Sequence, residues 1–222
     1  MNASPKSARH LVAALRSHLP QPYRCSRTYA TLQTLIDEGF ATLPYPGAGA
    51  TRARWQVLAA LAADDLCLAK LYARHADALA LLNELEGPLR SSRAGMRAVG
   101  CSESAQTRVT LTPRNRPDRE VILRGTKAWC AGARHVRAAP VSAWDSDTPC
   151  LVEIEPAQAH IDVCPAHWHA VGMAHTQSFT VRFLGAHGAS VPRAPICRGP
   201  ASPTWCAKPC CIAPAIPTRW RT

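Results

Sequence analysis

The spacing of apolar residues divides the chain into a helical first part and a β-rich second part. In the first part, apolar residues recur three and four positions apart, which is typical of amphipathic helices. These stretches cover residues 8–19, 27–38, 51–62 and 66–85. Asp64 and Asp65 interrupt the pattern, and each could cap the helix that follows. The first 87 residues are therefore predicted to be mostly helical.

After Ser92 the pattern changes to short apolar runs separated by turn-forming segments. The runs cover residues 108–112, 120–123, 136–144, 150–154, 161–164 and 178–184. Short runs at this spacing predict β-strands joined by hairpins. Helices first and strands second is the α+β pattern. We expect an all-helical domain over 1–90, followed by a β-barrel or sandwich domain over 91–192.

The last stretch, residues 193–222, has a third character. Proline recurs through it, and its apolar residues show no period. Frequent proline is incompatible with a helix interior or a central strand. This stretch is predicted to be an irregular tail rich in Pro and Cys.

One stretch, residues 123–133, carries the strongest local signals: Leu-Arg-Gly-Thr-Lys-Ala-Trp-Cys-Ala-Gly-Ala. The run from 120 predicts a strand that ends at Leu123, with a turn at Gly125 and extended structure up to Cys130. Two interpretations remain open. The segment is either a hairpin whose Trp129 lies in the core, or a flat indole beside exposed backbone that can hold a planar ring.

Composition is that of an ordinary globular chain. Of the 222 residues, 47% are apolar and 18% charged. No apolar run approaches the ~18 residues that a membrane span requires, and the N-terminus lacks the apolar core of a secretory signal. We expect a cytoplasmic protein without a membrane partner.

The charge is strongly basic, with a formal net charge of +11. The basic residues are scattered singly or in pairs, and only four of the 26 are Lys. A nucleic-acid surface normally shows a basic stripe or basic residues interleaved with aromatic ones. Nucleic-acid binding is therefore not favoured, and a basic anion-binding module remains as an alternative.

Ten cysteines without a secretion signal argue for reduced thiols rather than a disulfide framework. Cys164, His167 and His169 supply the ligand types that zinc prefers, and Cys150 or His175 could be a fourth ligand. The competing interpretation is ordinary polar alternation on a strand. The cysteines at 206, 210 and 211 lack regular CxxC spacing and predict no metal site.

Other catalytic patterns are weak. Cys130 has no assignable His–acid pair, so a nucleophile is not indicated. Adjacent residues on a helix point apart, so capping explains Asp64 and Asp65 better than a carboxylate pair does. His75 lies on an apolar helix stripe, which favours a core or interdomain position. The chain lacks a dinucleotide-binding glycine motif and a P-loop.

Taken together, residues 8–192 resemble the acyl-CoA dehydrogenases. The resemblance rests on the Gly39-Phe40 pair with Pro44-x-Pro46 and on the helix that carries His75. It rests further on the stretch 123–132 and on segments 168–178 and 181–183 of the β-rich part. No single motif carries the resemblance, which depends on their joint order and spacing.

This resemblance implies a helical domain, a middle β-barrel and a C-terminal helical bundle. The family oxidises an acyl-CoA between its α and β carbons: a carboxylate takes a proton and FAD takes a hydride. By resemblance, Trp129 lies against the flavin ring, and Cys130 and Ala131 present backbone to the edge of the ring. The family usually places Thr or Ser where Ala131 stands, so the side-chain hydroxyl is missing here.

The resemblance also implies a catalytic carboxylate in the bundle, but no Asp or Glu follows Asp162. No catalytic residue is therefore assigned, and the chain is expected to be truncated relative to the family. A homo-oligomer or a partner subunit could supply what is missing for an acyl-CoA substrate. A non-catalytic remnant is the alternative.

Overall fold

The computed structural model describes residues 8–18, 27–85, 95–102, 107–114, 120–166 and 168–191. Within this part of the chain, four α-helices come first: α1 (Ala8–His18), α2 (Thr28–Asp37), α3 (Thr51–Asp64) and α4 (Leu66–Glu84). Each coincides with a predicted stretch to within a few residues. No described helix is both long and apolar enough to cross a membrane.

The helices pack through the apolar stripes that the sequence shows. On α2, Leu32 and Leu35 are fully buried, and α4 buries most of one side along its length. The carboxylate of Asp65 caps α4 by accepting a hydrogen bond from the Cys67 N–H at 2.7 Å. Its second oxygen accepts one from Thr28 Oγ1 at the start of α2, at 3.2 Å. One side chain therefore ties the starts of two helices together.

Six described strands follow the helices. They are β1 (Val109–Pro113), β2 (Glu120–Cys130), β3 (Ala139–Asp145), β4 (Thr148–Ile154), β5 (Ile161–Cys164) and β6 (Phe179–Ser190). Five of them form the ring β2-β1-β3-β4-β6, which closes because β6 also pairs with β2. The β1–β3 pair is parallel and the other pairs are antiparallel. The fold is thus α+β with a closed, mixed barrel, and β5 pairs with the N-terminal part of β6.

The strand predicted to end at Leu123 does not end there. β2 runs unbroken to Cys130 and passes Gly125 with only a register shift between Leu123 and Arg124. Gly125 has φ +125°, and a Cβ at this position would lie 2.1 Å from the carbonyl oxygen of Arg108. Glycine thus serves a close approach of two strands, and the predicted turn at this position is wrong.

A buried polar joint connects the helices to the barrel. Arg97 NH1 lies 2.8 Å from Glu153 Oε1 on β4, and both side chains are buried. The Arg97 N–H also donates to Nδ1 of His75 on α4, at 3.1 Å. Residue 97 itself forms a parallel bridge with Ala138. The joint thus combines one helix, one bridging segment and one barrel strand.

The domain boundary expected near residue 90 lies outside the described residues, as do Cys25 and the Pro- and Cys-rich tail over 193–222. What the sequence predicts for this boundary, for Cys25 and for the tail is not tested by the structure.

Candidate functional site

Trp129 lies at the exposed end of β2. Its backbone has φ +58°, a left-handed conformation that is unusual for a bulky residue. The pairing with β6 shifts between Lys127 and Cys130, so Trp129 sits at an irregularity of the ladder. The indole is 54% exposed. The interpretation as a core Trp in a hairpin is therefore wrong, and the exposed flat ring is what the structure has.

Such backbone strain in a β-strand persists only where the surrounding structure enforces it, and it occurs often at binding sites. Regular alternation along β2 would place Trp129 on the same buried side as Lys127. The irregularity turns the Trp129 side chain outward instead. This local geometry makes Trp129 the centre of the candidate site.

Cys130 and Ala131 follow directly and have different environments. The Cys130 Sγ contacts the carbonyl oxygens of Lys127 and Ala128, each at 3.8 Å. Burial raises the pKa of the Cys130 thiol to about 12, outweighing the opposing effect of nearby Lys127 and Arg74. The thiol therefore stays protonated at neutral pH, which argues against a nucleophile. The sequence interpretation of Cys130 as a non-nucleophilic residue agrees with this geometry.

Ala131 is buried and directly follows the end of the strand that carries Trp129. The methyl side chain offers no hydroxyl, as expected from the sequence.

The turn after Ala131 is held from three sides. The Gly132 N–H donates to the Thr176 carbonyl at 2.9 Å, and a Cβ on Gly132 would lie 2.9 Å from Met96 Cε. The ring of Tyr29 stacks on His135 with centroids 3.7 Å apart. Burial raises the pKa of Tyr29 above its ordinary value, with a smaller contribution from Cys67. Helix α2 therefore supports the turn that carries the candidate site.

Lys127 was quoted in the sequence pattern, but its position was not predicted. Its side chain points into the barrel, is fully buried, and donates from Nζ to Ser142 Oγ on β3 at 2.7 Å. A lysine two positions before an exposed Trp resembles any surface lysine in a single sequence. Lys127 has the same parity as the buried Val121 and Leu123, so strand alternation was the signal that could have predicted its burial.

His75 is buried, as the apolar stripe predicts. Burial, with a smaller contribution from the charge of Arg97, lowers the pKa of His75 to about 4. Its partners Arg97 and Glu153 were missed, because nothing in the sequence links residues so far apart.

The candidate zinc ligands are not brought together by the described residues. No group of three His, Cys, Asp or Glu side chains in the described part could hold a metal ion. Cys164 Sγ instead donates to Asp162 Oδ2 at 3.3 Å, and Asp162 also pairs with Arg182. His167 lies outside the described residues. Cys150, the proposed fourth ligand, contacts the Thr148 carbonyl of its own strand.

Asp64 and Asp65 do not form a carboxylate pair. Asp65 is the buried cap of α4, while Asp64 is exposed at the end of α3. Capping, the preferred interpretation, is confirmed for Asp65.

No model of a known protein family matches the chain, and no curated protein sequence matches it. Solved structures do match. TdsC of Paenibacillus sp. A11-2, solved with FMN and indole, matches with TM-score 0.55 and 22% identity over 82% of this chain and 50% of TdsC. KijD3, solved with dTDP, matches with TM-score 0.67 and 18% identity over 89% of this chain and 58% of KijD3.

Methanesulfinate monooxygenase MsuC of Pseudomonas fluorescens matches with TM-score 0.57 and 19% identity over 85% of this chain and 52% of MsuC. The chain thus spans about half the length of these solved structures. At such low identity the likeness shows the fold alone. The shared fold agrees with the order of helices and then a β-barrel expected from the sequence, and no finding identifies a specific family.

Proposed function

We propose that this chain forms part of a flavin-dependent oxidoreductase, with the flavin ring bound against Trp129. The observation that carries the proposal is the half-exposed indole held in a left-handed backbone at the end of β2. An aromatic face of this kind favours stacking with a planar ring. The similar structures support the proposal, since TdsC and KijD3 were both solved with FMN.

The residues at this surface fit a flavin. Trp129 would hold the ring by stacking, and the Ala131 N–H would donate to a heteroatom at the ring edge. Cys130 would contribute backbone rather than its thiol, which is buried against carbonyl oxygens. When bound, a flavin supplies transfer of two electrons between a substrate and a second acceptor.

FMN is the flavin that the comparisons favour, whereas the resemblance seen in the sequence implies FAD. The narrower reaction, α,β-oxidation of an acyl-CoA, remains a proposal that rests on that resemblance. Monooxygenation is favoured by the likeness to MsuC, a methanesulfinate monooxygenase, and to TdsC, a dibenzothiophene monooxygenase. A homo-oligomer or a partner subunit that completes the substrate site is part of this proposal.

Binding of FMN and FAD to the purified chain by equilibrium dialysis tests the proposal. Replacing Trp129 by Ala should weaken FMN binding by about 5- to 150-fold, since stacking on an aromatic side chain contributes roughly 1–3 kcal/mol. Trp129→Phe should retain most of the affinity.

Trp55→Ala is the matched control, because Trp55 is 66% exposed on α3 and lies in no part of the site. It should leave FMN binding unchanged. Equal effects of Trp129→Ala and Trp55→Ala, or no retained flavin at all, would contradict a flavin surface at Trp129. Absence of flavin would favour the non-catalytic remnant.

Two experiments on the flavin-bound chain distinguish dehydrogenation from monooxygenation. Anaerobic bleaching of the flavin by an acyl-CoA would support dehydrogenation, whereas dioxygen-dependent turnover of a reduced flavin would support monooxygenation.

The basic anion-binding module is favoured only by the net charge of +11. It requires a polyanion affinity that falls steeply with salt concentration.

A further inference from the structure

An apolar cavity lies at the end of the barrel where β2 ends and β3 begins. Its volume is about 30 Å³. The walls come from strands β2 to β6 and from the segments over 98–100 and 131–136. All lining side chains are apolar or Cys, and many are small, such as Ala98, Ala131 and Ala139. The small residues leave the space open, since larger side chains there would fill it.

The chemistry of the walls excludes water but not a small apolar molecule. A buried water needs about two to four polar partners, and apolar cavities without them stay dry. The one sulfur in the wall, on Cys130, already contacts carbonyl oxygens of its own strand. The volume is far below that of engineered cavities that bind benzene, about 150 Å³. A diatomic gas fits, whereas a flavin or an aromatic substrate does not.

The cavity adjoins the proposed flavin surface through Ala131. Ala131 lines the cavity and lies two residues after Trp129. We propose that this cavity is a binding site for dioxygen, placed behind the flavin surface of Trp129 and Ala131. This inference rests on the proposed function and deepens it, because it names the second substrate of that site.

Dioxygen is the co-substrate that monooxygenation requires. One oxygen atom enters the organic substrate and the other leaves as water, with two electrons and two protons taken from a reduced flavin. An apolar space next to a bound flavin ring would raise the local concentration of an apolar gas there. The buried Cys130 thiol stays protonated there, which protects it from oxidation by the gas.

Paramagnetic relaxation by dissolved dioxygen tests the site directly. Methyl-labelled full-length chain is compared under dioxygen and under argon. The methyl protons of Ala139 and Val181, which line the cavity and are buried, should relax faster under dioxygen than buried methyls elsewhere in the barrel. Val109 and Leu123 are the internal references, since both are fully buried and neither lines the cavity. Equal relaxation of both groups would overturn the proposal.

A matched pair of variants on β3 tests the same point. Ala139→Val adds two carbon atoms to the cavity wall, and Ala143→Val makes the same change in the packed barrel core. Ala139→Val should remove the dioxygen-dependent relaxation and be tolerated, whereas Ala143→Val should keep the relaxation and lower the unfolding midpoint. Equal loss of stability in both variants would mean that no space exists at Ala139, which also overturns the proposal.

The role in catalysis is tested with FMN-loaded, reduced protein. Ala139→Val should slow reoxidation at limiting dioxygen severalfold without changing the FMN dissociation constant. An unchanged reoxidation rate would overturn the proposal that the cavity supplies dioxygen to the flavin. If the wild-type chain binds no FMN, the proposed function fails and the supply role fails with it. The relaxation experiment needs no flavin, so it separates failure of the cavity from failure of the proposed function.

Discussion

At the scale of single residues, the candidate site depends on two neighbouring left-handed positions. Trp129 has φ +58° and Gly132 has φ +68°. Between them the chain leaves the strand, exposes an indole and returns to the helical layer. The strain at Trp129 is maintained because the Gly132 N–H is hydrogen-bonded to Thr176 and the turn packs under α4. Gly132 thus holds the turn that follows Trp129 in place.

Replacing Gly132 by Ala should lower the free energy of unfolding by about 1–3 kcal/mol. The added Cβ would be strained by the left-handed backbone and would lie 2.9 Å from Met96 Cε and 3.1 Å from Leu71 Cδ2. Urea unfolding measures the loss.

Gly39→Ala separates the two causes. Gly39 has the same kind of backbone, φ +76°, but a Cβ there would meet nothing within 4 Å. The loss at Gly39 should therefore be smaller than at Gly132. A loss at Gly132 no larger than at Gly39 would show that packing of the turn does not matter.

At the scale of elements, helix boundaries were the most predictable feature of the chain. Apolar residues at helical spacing give the helix positions, and Asp65 is a capping residue directly before α4. Strand ends were less predictable. The extension of β2 beyond Gly125 depends on pairing with β1 and β6, which a local pattern does not contain. For the same reason the exposure of Trp129 could be proposed but not decided from sequence.

Removal of the Asp65 cap by Asp65→Ala should destabilise the chain by about 1–2 kcal/mol, because the Cys67 N–H and the Thr28 hydroxyl both lose their acceptor. Asp64→Ala is the matched control at the neighbouring, exposed position. It should change stability by less than about 0.5 kcal/mol. Thermal and urea unfolding of the two variants compare them, and similar losses would contradict a special role for Asp65.

At the scale of the whole molecule, closure of the barrel and its joint to the helices could not be predicted. Closure needs the parallel β1–β3 pair and the β2–β6 pair, which join strands distant in sequence. The joint likewise brings together His75, Arg97 and Glu153 from three separate segments. Sequence spacing showed that His75 is buried, but the charged pair beside it is a property of the assembled fold.

This joint makes stability depend on pH in a defined direction. His75 Nδ1 accepts a hydrogen bond from the Arg97 N–H, so the buried ring must be neutral, and its pKa falls from 6.5 to about 4. The unfolded chain therefore binds a proton below pH 6.5 that the folded chain excludes until about pH 4. Stability is lost as pH falls through this window, by about 3 kcal/mol from His75 alone.

His75→Asn keeps an acceptor but cannot titrate, so its unfolding free energy should depend less on pH between 6.5 and 4 than that of the wild type. His169→Asn, at an exposed position, should retain the wild-type slope, and an unchanged slope in His75→Asn would refute the argument.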